Sequence, residues 1–568
     1  MAYLNINAKK EHTYDAIVIG SGISGGWAAK ELCEKGLKTL VLERGRMVRH
    51  VQDYPTMGNE TWDYELRGAL TYEEQQQHKV FSEVGWAGQD AKHFMANDEE
   101  NPYTEVKPFV WMRGHQVGGR SMLWGKQTYR WSDLDFEANA KDGHGVDWPL
   151  RYKDIEAWYT YVEKFAGISG EALGLPHLPD SHFLPPMELN CVEKHAKQKI
   201  EDGFDSRHMI IGRVAHLTKP LNGRGQCQYR NRCSRGCPYG AYFSSMAVTL
   251  PAAEATGNMT LRPHSIVTSI IYDEAKGKAT GVRVVDAETN EEIEFYAKII
   301  FSNASTLSTT SIFLNSTSSR FENGFGNDSG ELGHNLMDHT YKVGAMGGIE
   351  GFNDKYYSGR RPNGVYIPRY VNLDEKTKTD KFLRGFGYQG GAGRGGWGSG
   401  INNNEFGADF KDGLTKPGGW GMFITGFAEC LPNHENKVTL NHDLKDKWGL
   451  STLSMDAEFK ENELAMNKQI KTDAVEMLEK AGFKDIMAFD AKCPPGHGVH
   501  EMGTARMGRD PKTSVLNGFN QVHAAKNVFV TDGACMTSSS CVNPSLTYMA
   551  ITARAANYAV EELKKQNL

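Results

Sequence analysis

Three cysteines stand close together in the sequence: Cys227, Cys233 and Cys237 are separated by five and then three residues, with Pro238 directly after the last. Thiolates at such spacing suit a metal centre, and a proline behind the final cysteine is a feature of ferredoxin-type binding runs. Structural zinc takes four tetrahedral ligands, and the run contains no fourth cysteine or histidine. Three cysteines match a [3Fe–4S] cluster better, since each iron then takes one protein thiolate. Zinc, or unmetallated thiols or a disulfide, are the alternatives. Arg224, Arg230, Arg232 and Arg235 would offset the charge of a cluster, or form a solvated basic face. Near the C-terminus stand His497, His500 and Asn543. Histidine is suited to take a proton near neutrality, its unperturbed pKa being about 6.5. Asparagine can donate to an oxygen, or simply cap the helix that Pro544 opens.

A second chemical signature lies at the other end. Gly20-x-Gly22-x-x-Gly25 follows an apolar strand (15–20) and opens an alanine-rich helix (24–35) that Gly36 ends, before a second strand (39–43). This is a βαβ unit of roughly the expected 30 residues. Gly20 permits the tight turn, Gly22 lets the backbone approach a pyrophosphate, and Gly25 lets helix and strand pack closely. Glu43, at the end of the second strand, is placed to accept hydrogen bonds from a ribose. The fingerprint predicts a bound dinucleotide, FAD or NAD.

Three further stretches bear on that choice: Gln116-Val-Gly118-Gly119-Arg-Ser121-Met-Leu-Trp124-Gly125; Gly333-His-Asn335-Leu-Met-Asp338-His339; and His500-Glu-Met-Gly503-Thr504, followed by a strand ending in Asp532-Gly533 and by Asn543-Pro544. In this order, together with the fingerprint, they resemble the glucose-methanol-choline oxidoreductases over nearly the whole chain. The resemblance implies FAD rather than NAD, and an α/β fold in which a Rossmann-like FAD-binding domain is interleaved with a substrate domain built on a β-sheet. It implies that His500 removes the hydroxyl proton of an alcohol as hydride leaves for the flavin. Asn543, the second residue of the pair, would hydrogen-bond the same oxygen. Asp532 and Gly533 would contact the flavin pyrophosphate and ribityl chain, and the segment with Gly118, Gly119 and Ser121 would belong to the cofactor site. His497 is the rival base and is read as pocket-lining. Leu123 stands where some related pyranose oxidases carry a flavin-linked histidine, which implies noncovalent FAD. The cysteine spacing is similar to that of the catalytic subunits of bacterial FAD-dependent sugar dehydrogenase complexes. Such a cluster implies a dehydrogenase that passes electrons to a protein acceptor, a cytochrome c, and is paired with a small subunit bearing a secretion signal. In general character the loops resemble the glucoside 3-dehydrogenase branch, which oxidises C3 of a glucoside to a 3-keto sugar. The alternatives are an oxygen-using sugar or alcohol oxidase on the same fold, and a noncatalytic flavin- or cluster-binding assembly subunit.

Length and composition frame these sites. A chain of 568 residues is long for one domain. The expected division is 1–150, 241–315 and 486–568 for the FAD domain, with a substrate and cluster insertion at 151–240 and a substrate domain at 316–485. A net charge of −6 excludes a typical nucleic-acid binder, and no uncharged apolar run is long enough for a membrane span. Residues 1–13 are polar, with no apolar leader core and no twin-arginine pair. Periplasmic location as the passenger of a signal-bearing partner is therefore expected, with the cytoplasm as the alternative. The stretch 384–421 is dense in glycine yet holds Phe386, Tyr388, Trp397 and Trp420; it reads as a mobile loop or lid over a ligand. Gln389 and Glu429 are the expected sugar contacts, with His497 beside them, although Glu429 could equally bond backbone amides.

Overall fold

A computed structural model describes residues 13–355, 364–398 and 406–568. The βαβ unit forms where its pattern places it. Strand Thr13–Ile19, helix Ile23–Glu34 and strand Thr39–Leu42 follow in order, and the strands pair in parallel with Val18 opposite Val41. Ala16, Ile17, Val18 and Ile19 are all buried, as a central parallel strand covered on both faces requires. A Cβ on Gly25 would lie 1.9 Å from the Gly20 carbonyl oxygen, so only glycine lets the helix start this close to the strand end.

The rest of this first sheet comes from distant parts of the chain. Its strand order is Gln521–Val522, Ala525–Val530, Glu292–Ser302, Thr13–Ile19, Thr39–Leu42 and Met259–Arg262, and Ser265–Asp273 and Lys278–Asp286 extend it from Glu292–Ser302. Ala525–Val530 runs parallel to Glu292–Ser302, which runs parallel to Thr13–Ile19. The Asp532-Gly533 pair is thereby delivered to the same sheet edge as the fingerprint turn. Helix Ser545–Lys564 buries Leu546, Met549, Ala550, Ala553, Ala556 and Val560 at helical spacing and packs against Ile23–Glu34.

The second sheet has six strands in the order Lys484–Asp490, Thr340–Ile349, Trp420–Ala428, Phe386–Arg394, Val365–Ile367 and Ile210–Ile211, all antiparallel. Two expectations are corrected here. The two ends of the glycine-rich stretch, Phe386–Arg394 and the start of Trp420–Ala428, are strand rather than lid: Phe386, Tyr388 and Trp420 are buried in the core that helix Glu461–Lys480 covers. Gly390 serves close strand packing, since a Cβ there would meet the Phe423 carbonyl oxygen at 2.1 Å. The boundary expected at 485 also falls inside strand Lys484–Asp490, which pairs with Thr340–Ile349. Side chains alternate across this sheet. The Tyr388 hydroxyl donates to the Ile470 carbonyl of the covering helix at 2.9 Å, whereas Gln389 faces the opposite way, into a cavity. Residues 1–12 and 399–405, on which the leader reading and part of the lid reading rest, lie outside the described residues. Among the described residues no helix is long and apolar enough to cross a membrane.

Candidate active site

The C-terminal ends of the parallel strands and one face of the second sheet line a cavity of about 910 Å³. Gly20, Ser21, Gly22 and Glu43 line it together with Gly119, Ser121, Asp532 and Gly533. Gly20 takes φ +89°, as the tight turn demands, and a Cβ built on Gly22 meets nothing within 4 Å, leaving the backbone open to an approaching ligand. The Glu43 carboxylate is buried; it accepts from the Ser21 amide at 3.1 Å, the Ser21 hydroxyl at 2.5 Å and the Gly45 amide at 3.0 Å. Burial raises its pKa despite these bonds. Gly118 does not line the cavity; its amide donates to the Ser21 hydroxyl at 2.9 Å and so braces the turn. Ser121 donates to the Gly118 carbonyl at 2.5 Å and accepts from the Ser245 amide at 3.1 Å. Asp532 accepts from Thr309 at 2.6 Å and from the Ala534 amide at 3.0 Å, and burial pushes its pKa up to about 6. The Nδ2 of Asn303, buried on the cavity wall, has no protein partner. An open glycine turn, a carboxylate at the second strand end and an unanswered amide donor fit an adenine dinucleotide.

The pair singled out near the C-terminus is assembled on the wall of the same cavity. His500 Nε2 lies 3.3 Å from Asn543 Nδ2, and Gln389 Nε2 donates to Asn543 Oδ1 at 2.7 Å. Asn543 is not a helix cap: helix Ser545–Lys564 has Pro544 at its N-cap, and the asparagine amide is committed to His500 and Gln389. Burial, then the electrostatic coupling to His339 and the charge of Arg120, holds the His500 pKa well below its ordinary value, so the ring is neutral at pH 7. The loop carrying it is pinned by Asp338, whose carboxylate accepts from the amides of Gly496, Gly498 and His500 at 2.7, 2.9 and 2.9 Å. Burial and the nearby Glu501 charge still push Asp338 up to about 7. Arg120 forms a two-pronged pair with Glu501, at 3.0 and 2.7 Å, tying the 116–125 segment to the residue after His500. Asp338, His339, Arg120 and Glu501 were not anticipated as site residues, although each lies inside a motif noted above.

His497 lines the cavity among Trp86 and Tyr341, with ring centroids 6.3 and 5.7 Å away. Burial holds its pKa down to about 4, and its Nε2 has no protein partner. Glu429 is a correction. Its side chain is 1% exposed, lies off the cavity, and pairs with Arg369 at 2.6 Å; burial pushes it up to about 7. It is paired as a structural carboxylate and does not line the cavity.

Cys227, Cys233 and Cys237 line one small surface pocket with Tyr242 and His216. His216 Nε2 lies 3.8 Å from Cys233 Sγ, a neighbour that the spacing of the cysteine run could not reveal. Among the described residues no group of three His, Cys, Asp or Glu side chains converges as ligands of a single metal ion would.

A parallel sheet ending in a dinucleotide turn, with a neutral histidine and an asparagine on the wall of the same cavity, fits a dinucleotide-dependent oxidoreductase, and the family match makes it an FAD-dependent enzyme acting on CH–OH groups. The chain belongs to the GMC oxidoreductase family, whose N-terminal part matches residues 14–341 and whose C-terminal part matches residues 432–552. It is similar to 2-methyl-1,2-propanediol dehydrogenase of Mycolicibacterium austroafricanum, 28% identical over 96% of this chain and 94% of that one. It is also similar to the fructose dehydrogenase large subunit of Gluconobacter japonicus, 24% identical over 97% and 98%. A solved structure of the Aspergillus oryzae RIB40 formate oxidase shares the fold, with a TM-score of 0.62 at 15% identity over 98% of this chain and 99% of that one.

Proposed function

We propose that the protein is the catalytic subunit of a sugar or glycoside dehydrogenase, oxidising C3 of a glucoside to a 3-keto sugar. The observation that carries this reading is the His500–Asn543 pair, 3.3 Å apart in the cavity that holds the dinucleotide turn. FAD, when bound, supplies the hydride acceptor. His500 takes the hydroxyl proton at Nε2, and Asn543 Nδ2 donates to the same substrate oxygen and fixes its approach. Trp86, Tyr341 and Phe427 line the cavity and offer ring faces to the C–H side of a pyranose, while His497 Nε2 and Gln389 supply polar contacts. Leu123, also on the cavity wall, has no nucleophile to offer the flavin, so the FAD is held noncovalently and leaves on acid precipitation.

The electrons leave through a [3Fe–4S] cluster on Cys227, Cys233 and Cys237 to a protein acceptor, a cytochrome c. Two residues support this route. Ser234, beside Cys233, lines the flavin cavity, and so does Lys126, whose pKa burial lowers and the nearby Cys233 and Cys237 raise. A three-iron cluster takes each thiolate on a separate iron, so the three must surround one cluster rather than meet at one ion. The fructose dehydrogenase relative is named as a large subunit, in keeping with assembly with a small signal-bearing subunit that would carry this chain to the periplasm.

Anaerobic flavin bleaching across free sugars and glucosides, with NMR of the products, tests the substrate. A 3-keto glucoside is the expected product, and bleaching only by simple alcohols would refute the sugar reading. His500→Ala should lower the bleaching rate at least about 100-fold; activity that survives it but is lost in His497→Ala would move the base to His497. Peroxide formed in step with sugar under air would make oxygen the acceptor.

A further inference from the structure

We infer that His339 is a positioning residue that fixes the tautomer of His500, holding the bare lone pair at Nε2 beside Asn543. The inference rests on the reading of His500 as the base. Its anchor is a backbone carbonyl. The His339 Nε2 is hydrogen-bonded to the Ser540 carbonyl oxygen, and a carbonyl can only accept, so that nitrogen carries the proton. Burial holds the His339 pKa down to about 4, so at neutral pH the ring has a single N–H and its Nδ1 is bare.

That bare nitrogen lies 2.8 Å from His500 Nδ1, with the two rings edge to face at 80°. Two bare nitrogens at this distance would repel, so His500 Nδ1 carries the proton and donates it to His339. A neutral His500 then has no proton on Nε2. The next member of the chain agrees: Asn543 Nδ2 can only donate, and it sits 3.3 Å from that nitrogen. Gln389 Nε2 donating to Asn543 Oδ1 completes a run in which every bond has one donor and one acceptor. Either amide could be turned over without changing its shape. The Ser540 carbonyl, which has only one possible role, sets the direction of the whole run. A second proton on His339 would reverse it, placing the proton of His500 at Nε2 and blocking the base. Taking the substrate proton at Nε2 leaves the Nδ1–H bond to His339 in place, so nothing need reorganise during the reaction.

Neutron diffraction from deuterium-exchanged crystals of the holoenzyme tests the tautomer without reference to turnover. Deuterons are expected on His500 Nδ1 and His339 Nε2, with none on His500 Nε2 or His339 Nδ1; a deuteron on His500 Nε2 in the substrate-free enzyme overturns the inference. Two variants test its consequence. His339→Gln can offer its carbonyl to His500 and its amide to Ser540, whereas His339→Leu offers neither. At matched flavin content and melting temperature, the leucine variant should bleach at least about 30-fold more slowly with KM within about threefold of wild type, and the glutamine variant within about fivefold of the wild-type rate. A leucine variant at the wild-type rate, or a glutamine variant as slow as the leucine one, overturns it. An active His500→Ala enzyme would instead sink the reading of His500 as base and leave the deuteron positions standing.

Discussion

Gln389, on a strand of the second sheet, donates to the side-chain oxygen of Asn543 at 2.7 Å, across the cavity wall from the first sheet's final helix. The bond joins the substrate unit to the catalytic pair, and it holds the Asn543 amide against rotation in the direction that His500 sets. Gln389→Leu should therefore lower the limiting rate of flavin bleaching about 5- to 10-fold, the worth of one orienting hydrogen bond. The melting temperature should not change, because the side chain points into the cavity and away from the core that Tyr388 enters. Stopped-flow bleaching at saturating substrate checks this. An unchanged rate would mean that Asn543 needs no help to hold its orientation.

The pH dependence follows from the burial of His500. Desolvation, with the coupling to His339 and the Arg120 charge behind it, depresses its pKa well below the ordinary value. A depressed pKa keeps the free base available at every pH above it, and the base is lost only as pH falls through the lowered value. The limiting bleaching rate should thus be flat from pH 8 down to about pH 6 and decline only in more acidic buffer. A limb centred near pH 6.5 or above would show that the active histidine is one with ordinary solvation.

The dinucleotide turn was legible from residue types alone, because each of its glycines answers a local demand: positive φ at Gly20, and at Gly25 an approach of 1.9 Å that excludes any Cβ. The pairing of His500 with Asn543 was legible only through family resemblance, since 43 residues separate them and nothing local draws them together. Within the glycine-rich stretch, the part that forms strand Phe386–Arg394 misled for a physical reason. Glycine marks mobile loops and also strands whose backbones crowd, and only the burial of Phe386, Tyr388 and Trp420 tells the two apart. Arg120, Glu501 and His339 were invisible as partners because their contacts cross from one chain segment to another, 381 residues apart in the case of Arg120 and Glu501.

Glu429 and Arg369 form a buried pair, with side chains 1% and 6% exposed. Arg369 also donates to the carbonyls of Val371 and Asn372 at 2.8 and 2.7 Å. Arg369→Leu would strand a carboxylate in the interior, a loss worth about 3–5 kcal/mol in comparable buried pairs. The melting temperature should fall by several degrees. In the protein that still folds, KM for the sugar should be unchanged, because neither residue reaches the cavity. A variant that melts normally but binds sugar weakly would restore Glu429 to the substrate site.

The cysteine loop gives the test that separates the fate of the electrons from the chemistry on the alcohol. Cys227, Cys233 and Cys237 line their own pocket and do not line the cavity of His500 and Asn543, whereas their neighbour Ser234 does. Cys233→Ser should therefore lose iron and acid-labile sulfide, which in anaerobically purified wild type should come to about three irons per chain. Anaerobic bleaching by substrate should persist at close to the wild-type rate, because taking the proton and hydride needs only the first cavity. Reoxidation by a cytochrome c should slow sharply, since that is the step for which a relay beside the flavin matters. Wild type with neither iron nor sulfide would remove the cluster, and zinc found in their place would bring His216 forward as the fourth ligand, 3.8 Å from Cys233.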